Sequence, residues 1–362
     1  MQEPDQYNVA VGDHVIRDAR ASDIDDIFSL SHLLNTVNLP AHKSELEHVI
    51  EISENSFSLK ESDSTKRAFL FVLTDEADRV IGTSQIFAKH GTLTCPHLYF
   101  QVGNDERYSE TLKKYFRHCT LRLCQSFDGP TEIGSLVLDQ RFRRSKGKLG
   151  RNLSYIRFLF IAMKPEIFSH RILAELLPPL GPNFESALWE AIGRKFTGLD
   201  YYEADIISRR NKEFIKTLFP SGEIHVALLP SAAQEVIGQV GRNSKAAAHL
   251  LARIGFRYSH RVNPFDGGPH FEAEQENISL IHDAIHGRLG REMHASASQM
   301  KLGLCGRFSP KRNSGDRFRA VASPYHYRES ENLLDLPAKT KQLLDIDNGD
   351  DLSVMDLVSR GE

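Results

Sequence analysis

Apolar residues recur along the chain with two spacings, and the switches between them mark out its elements. Val15 to Ala19 reads as a short strand, and Ile24, Ile27, Phe28 and Leu34 then follow at helical spacing behind a capping-box pattern of Ser22 and Asp25. Ala68 to Leu73 and Val80 to Ala88 are β-rich runs on either side of the charged turn Asp75 to Arg79, which predicts a hairpin. A strand near Leu98 to Val102 comes next, and Ser109 to Leu123 predicts a helix. The dense run Ile133 to Leu138 suits a buried central strand, and Leu149 to Ala162 an apolar-rich helix.

A second series follows, with helices over Ser186 to Phe196 and Asn211 to Leu218 and a strand over Ile224 to Leu229. Ser231 and Gln234 repeat the capping-box spacing, and a helix from Lys245 to Arg253 ends at Gly255 before the strand Phe256 to Tyr258. Two related α/β units with mixed sheets are therefore expected, over residues 14–165 and 166–278. The His-, Ser-, Arg- and Lys-rich stretch 279–315 reads as a linker or long loop, and 316–362 as a small C-terminal α+β lobe.

Composition narrows the class of protein. A length of 362 residues favours two packed units over one core. Forty-five Lys and Arg against 48 Asp and Glu give a net charge of -3, so no global field draws the chain to nucleic acid or an anionic membrane. The apolar stretch Phe158 to Met163 is far short of the ~20 residues that span a bilayer. The first residues are polar and lack a secretory pattern, and a cytoplasmic location is expected. Cys95, Cys119, Cys124 and Cys305 form no Cys-x-x-Cys pair and read as reduced thiols.

Chemistry concentrates in the segment EIGSLVLDQRFRRSKGKLGRNLS, Glu132 to Ser154. A strand that enters a basic, Gly-containing loop and then a helix suits a pyrophosphate, because the first amides of a helix have no internal partner and its dipole adds positive potential. Arg143, Arg144, Lys146 and Lys148 add full charges, and Gly147 and Gly150 leave room for phosphate beside the backbone. A solvated basic turn would have the same composition. At this point the chain resembles the coenzyme A-dependent acetyltransferases: Arg144-Ser145-Lys146-Gly147 fits the first half of their Arg/Gln-x-x-Gly-x-Gly/Ala signature, while Gly150 falls one position late.

Segment by segment, the chain resembles arginine N-succinyltransferases. The resemblance is carried by VIRDARASDID from Val15, FVLTDE from Phe71, VIGTSQI from Val80, EIGSLVLDQRFR from Glu132, RFLFIAM from Arg157, AQEVIGQVG from Ala233, GFRY from Gly255 and FDGGPHFEA from Phe265. It implies tandem acetyltransferase-like units and transfer of a succinyl group from succinyl-CoA to the α-amine of arginine, the opening of a catabolic route for that amino acid. It also implies acyl-CoA contact at Leu136. The basic loop itself, through Arg144, Gly147 and Gly150 to Arg151, is where the pyrophosphate is expected. The sequence departs from the family where a proton-donating His follows Gly-Gln-Val, since Gly241 stands there. His225 and His270 are the candidate replacements to carry protons, and a structural role for each is the stronger reading of the sequence. On the acceptor side the loop around Asn38 keeps part of the family pattern, and Asp266 and Glu272 are carboxylates suited to a guanidinium. Asp266-Gly267-Gly268-Pro269 reads equally as a plain tight turn.

Two other readings stand beside this one: an N-acyltransferase with another amine or acyl group, and a catalytically silent acyl-CoA-binding subunit. Assembly with copies of itself or with a related chain is compatible with each. No metal and no permanently bound cofactor are expected, because His282 and His286, four apart on a predicted helix, have no Cys or acidic residue at motif distance. The basic run Lys311 to Arg319 reads as a charged loop, with no nucleic-acid partner.

Overall fold

Strands β1 (Val15–Asp18), β2 (Ala68–Thr74) and β3 (Val80–Phe87) pair antiparallel in that order, as their apolar runs predict. The structure is a computed structural model that describes residues 13–32, 39–40, 42–92, 95–143, 145, 147–182, 185–293, 300–312 and 315–357, without the side chains of 209 and 210. It divides into two units. Unit 1 comprises residues 1–88, 134–168 and 279–362, and unit 2 comprises 89–133 and 169–278.

In unit 1, β2 is buried at every residue. Leu70 and Val72 share a cluster with Ile27 of helix α1 (Ile24–Ser31) and Leu46 and Ile50 of helix α2 (Lys43–Phe57). Phe69 and Phe71 turn the other way, toward Phe160 of helix α3 (Leu149–Met163), with ring centroids 4.9 and 5.5 Å apart. Phe308 and Phe318 approach Phe160 to 5.0 and 5.4 Å, nearly perpendicular to it. Such edge-to-face groups add roughly 0.5–1.5 kcal/mol per pair beyond the area they bury, and here they fix where α3 lies. α1 starts without the expected Ser22 cap; Asp23 instead accepts the Arg20 N–H at 2.8 Å.

The stretch expected to be a linker carries regular structure. Helix α9 (Ser279–His282), β11 (Ile285–Glu292) and β12 (Lys301–Phe308) lie in it. Glycines hide these strands from a pattern reading: a Cβ at Gly303 would stand 2.5 Å from Val354 Cγ1 and 2.8 Å from the Tyr325 ring, so a small residue replaces an apolar one. With β13 (Phe318–Arg328), β14 (Leu333–Leu336) and β15 (Asp351–Asp356), these strands close a ring. β12 pairs with β13 and β15, β15 with β11, β11 with β14, and β14 returns to β13. Its interior holds Leu289, Cys305, Val321, Tyr325, Leu334 and Val354, and helix α10 (Ala338–Leu344) adds Leu344. β13 also pairs with β1, which joins the ring to β2 and β3.

Unit 2 is built on the long hairpin β4 (His97–Ser109) and β5 (Lys114–Ser126). The expected helix over Ser109 to Leu123 is thus a turn and a strand. Cys119, Leu121 and Leu123 recur every second residue on the core side, and this alternation decides the matter over the looser helical match. β4 pairs with β9 (Arg257–Val262), β9 with β10 (Pro269–Glu274), and β10 with β7 (Arg171–Glu175). β7 runs parallel to the start of β6 (Thr131–Leu138), whose remainder belongs to unit 1, and β8 (Ile224–His225) pairs with β5. Helices α4 (Arg194–Thr197), α5 (Tyr201–Arg210), α6 (Glu213–Leu218), α7 (Ser231–Val236) and α8 (Lys245–Arg253) complete the unit. Trp189 stacks on Phe265 at 4.9 Å at the centre of its core. No helix among the described residues is long and apolar enough to cross a membrane.

Candidate active site

β6 is interrupted from within. Ser135 takes φ 49°, a left-handed conformation rare for a residue with a side chain. Two bonds hold it there: its hydroxyl donates to Gln85 Oε1 at 2.9 Å, and its carbonyl accepts from Thr83 Oγ1 at 3.0 Å. Strain of this kind costs on the order of 1–3 kcal/mol and collects where a backbone is shaped for a ligand. The next residue is Leu136, half-buried, at the position the family resemblance assigns to the acyl-CoA.

Beyond β6 the chain turns on Asp139, whose carboxylate accepts the Arg141 backbone N–H at 2.9 Å and pairs with its guanidinium at 2.6 Å. It enters α3 through Lys148, an exposed residue in left-handed conformation (φ 49°), and no side chain caps the helix. Arg151 and Asn152 both donate their backbone N–H to the Lys148 carbonyl, and the Asn152 amide donates to the Gly147 carbonyl at 3.1 Å. The N–H groups of Leu149 and Gly150 belong to the first turn, which has no internal acceptors. Among the described residues no acceptor faces them. A Cβ at Gly147 would meet, among the described residues, only Leu149, at 3.4 Å, and one at Gly150 only Leu138, at 3.5 Å, both ordinary contacts. Arg151 donates to the Leu357 carbonyl at 3.4 Å. Arg144 lies outside the described residues, as does Asn38.

The remaining expected residues lie in unit 2. His225 is half-buried on β8, opposite Thr120 of β5. His270 is fully buried on β10. Asp266 is also buried; its Oδ1 accepts the Gly268 N–H at 2.8 Å, and Gly267 (φ 79°) turns the chain. The turn reading therefore holds, and the carboxylate sits where burial, with Glu175 and Asp205 adding repulsion, pushes its pKa up to about 7. Glu272 is already engaged by two guanidinium groups of the chain, Arg261 at 3.2 Å and Arg171 at 3.5 Å.

Gly241 has a physical reason to be glycine. Its N–H donates to the Leu177 carbonyl at 2.8 Å, and a Cβ would stand 2.7 Å from the Pro178 carbonyl carbon and inside contact distance of its oxygen. A histidine enters this position only if the 177–178 backbone moves. His282 and His286, read as one helical pair, are separated by the end of α9: His282 meets Asp283, and His286, on β11, meets Ser353 Oγ at 2.8 Å.

Three residues of the site region escaped the sequence. Ser135 had only the Gly-Ser break inside an apolar run to announce it. His97 and Glu175 carry no signal in linear spacing, because β4 and β7 bring them to His270 only in the folded unit.

Comparison with known proteins agrees with the resemblance. The family description "Arginine N-succinyltransferase beta subunit" matches residues 14–280. An arginine N-succinyltransferase of Yersinia pestis (strain Pestoides F) is 33% identical over 273 residues, covering 74% of this chain and 77% of that protein. The arginine N-succinyltransferase subunit beta of Pseudomonas aeruginosa is 32% identical over 270 residues, covering 74% and 78%. Among solved structures, arginine/ornithine succinyltransferase subunit AI from Pseudomonas aeruginosa superposes with a TM-score of 0.79 at 25% identity over 96% of this chain and 99% of its own. A match over most of the chain, with one fold along its length, shows that this chain belongs to the arginine N-succinyltransferase family.

Proposed function

We propose that the chain transfers the succinyl group of succinyl-CoA to the α-amine of arginine, in the cytoplasm. Family membership supports this reading, and the observation that carries it in the structure is the uncapped start of α3 beside the strained Ser135–Leu136 backbone. The first-turn amides and the cationic loop hold the diphosphate of the acyl carrier. The backbone at Leu136 lies along its pantetheine arm and donates toward the thioester oxygen as charge develops on it. The amine nitrogen attacks the thioester carbon, the tetrahedral intermediate collapses, and the thiolate of coenzyme A leaves. The proton shed by the amine ends on the thiolate or in solvent.

Neither histidine expected to handle that proton is assigned as its donor: His270 is sealed in the interior, and His225 is on β8, at the far end of the strand order from β6. A thiolate leaves readily without help, so His225→Ala should leave kcat unchanged, and a loss of about 100-fold would return it to that role.

Asp266 is likewise buried and its Oδ1 holds its own turn, so no acceptor role is assigned to it.

The overall reading is tested by following free thiol from succinyl-CoA or acetyl-CoA, with arginine, ornithine or other amines as acceptors. Arginine-dependent release from succinyl-CoA is the expected result. Release only with another pair, or binding without release, would replace it with a different acyltransferase or a silent subunit. The subunit names of the relatives also favour assembly with a second copy or a related chain.

A further inference from the structure

The interior of unit 2 holds a group of side chains that succinyl transfer does not use. His97 opens β4, Glu175 ends β7 and His270 lies on β10, so three strands deliver them to one place. One ligand-type atom from each lies within 4.8 Å of the other two. His270 is 0% exposed and His97 5%. The Glu175 Oε1 atom stands 3.3 Å from His270 Nε2 without the alignment of a hydrogen bond, and neither ring nitrogen of His270 has a hydrogen-bond partner.

An imidazole buried with both nitrogens unsatisfied costs on the order of 1–3 kcal/mol for each polar atom, a cost that native interiors avoid. Glu175 is oriented as a ligand would be: its Oε2 accepts from the Asn263 side-chain amide at 2.7 Å, which leaves Oε1 turned toward His270. The His97 and His270 rings lie 5.6 Å apart, centroid to centroid.

We propose that His97, Glu175 and His270 form a binding site for a divalent transition metal of the zinc type. Two neutral imidazoles and one carboxylate are a donor set that zinc accepts, with a fourth position left open. Ligand atoms about 2.0–2.2 Å from zinc in a tetrahedron are about 3.3 Å from one another, the separation already present between Glu175 and His270. His97 offers a ring nitrogen within 4.8 Å of both other ligand atoms, and its ring closes in to make the third bond. Asn263 is the outer partner that holds the carboxylate in its ligating orientation. The site is independent of the acyl-CoA reading, and nothing in its test depends on turnover.

The experiment uses full-length protein stripped with a chelator and titrated with Co2+, then with Zn2+. One Co2+ per chain should bind, with the visible bands of low-coordinate cobalt, and Zn2+ should displace it. His97→Ala and His270→Ala should abolish the bands, and Asn263→Ala should weaken binding by about 10–100-fold, the usual effect of losing an outer partner. His282→Ala, a change on the surface, should leave binding unaltered. Because emptying a buried site risks misfolding, Glu175→Gln is the companion variant: it keeps the shape, and should bind Co2+ far more weakly while its circular dichroism matches the parent. Absence of the bands, or cobalt binding that survives His97→Ala and His270→Ala together, overturns the site.

Discussion

Replacing Arg17 by alanine should destabilise the protein by roughly 3–5 kcal/mol, the usual cost of removing one partner from a buried ion pair. Arg17 is 1% exposed on β1 and donates to both oxygens of Asp23, at 2.7 and 2.9 Å. It also reaches the Asp18 carbonyl at 3.1 Å and Asp78 at 3.3 Å. Without the guanidinium, the Asp23 carboxylate, on a residue 5% exposed, keeps among the described residues only the Arg20 N–H as a donor. The cost arises from the stranded carboxylate more than from the lost attraction, so Arg17→Met combined with Asp23→Asn should recover much of it. Chemical denaturation midpoints at a constant slope measure both changes. A loss below about 1 kcal/mol for Arg17→Ala would mean that water reaches Asp23 and that the pair is not buried in solution.

The second large effect is expected at the start of α3. Gly147→Val should lower affinity for acyl-CoA by at least 100-fold, because losing two charge-assisted bonds to phosphate forfeits roughly 3–6 kcal/mol. Stability should hardly change. A Cβ at this position meets only Leu149, at an ordinary 3.4 Å, so the protein itself gives the substitution room. That contrast gives the measurement its meaning: equilibrium binding of a non-hydrolysable acyl-CoA analogue should collapse while the thermal midpoint stays put. Unchanged affinity would take the loop out of the site. A falling midpoint would show that Gly147 serves the fold and not the ligand.

What could be read in the sequence depended on whether its signal was local. β2, β3, β6 and α3 were visible because long apolar runs with clean boundaries encode them, and α8 because Gly255 closes it. β5 reads as a helix because Phe116, Cys119 and Leu123 also satisfy helical spacing, while Cys119, Leu121 and Leu123 alternate as the strand that pairs with β4. β11 and β12 were hidden by glycines that tertiary neighbours demand. For the site, the basic loop was legible as chemistry next to a helix start. The left-handed Ser135 was not, since its conformation is imposed by Gln85 and Thr83 from another strand. His97 and Glu175 share no pattern with His270 in one dimension; only strand order places them together.

The ring of β11 to β15 has one more consequence. Among the described residues, each of its five strands has a neighbour on both sides, so these strands offer no free edge through which a foreign strand might be recruited. Self-association through strand addition is closed to this part of the molecule, and β15 is the staple that seals it, filling the gap between β11 and β12.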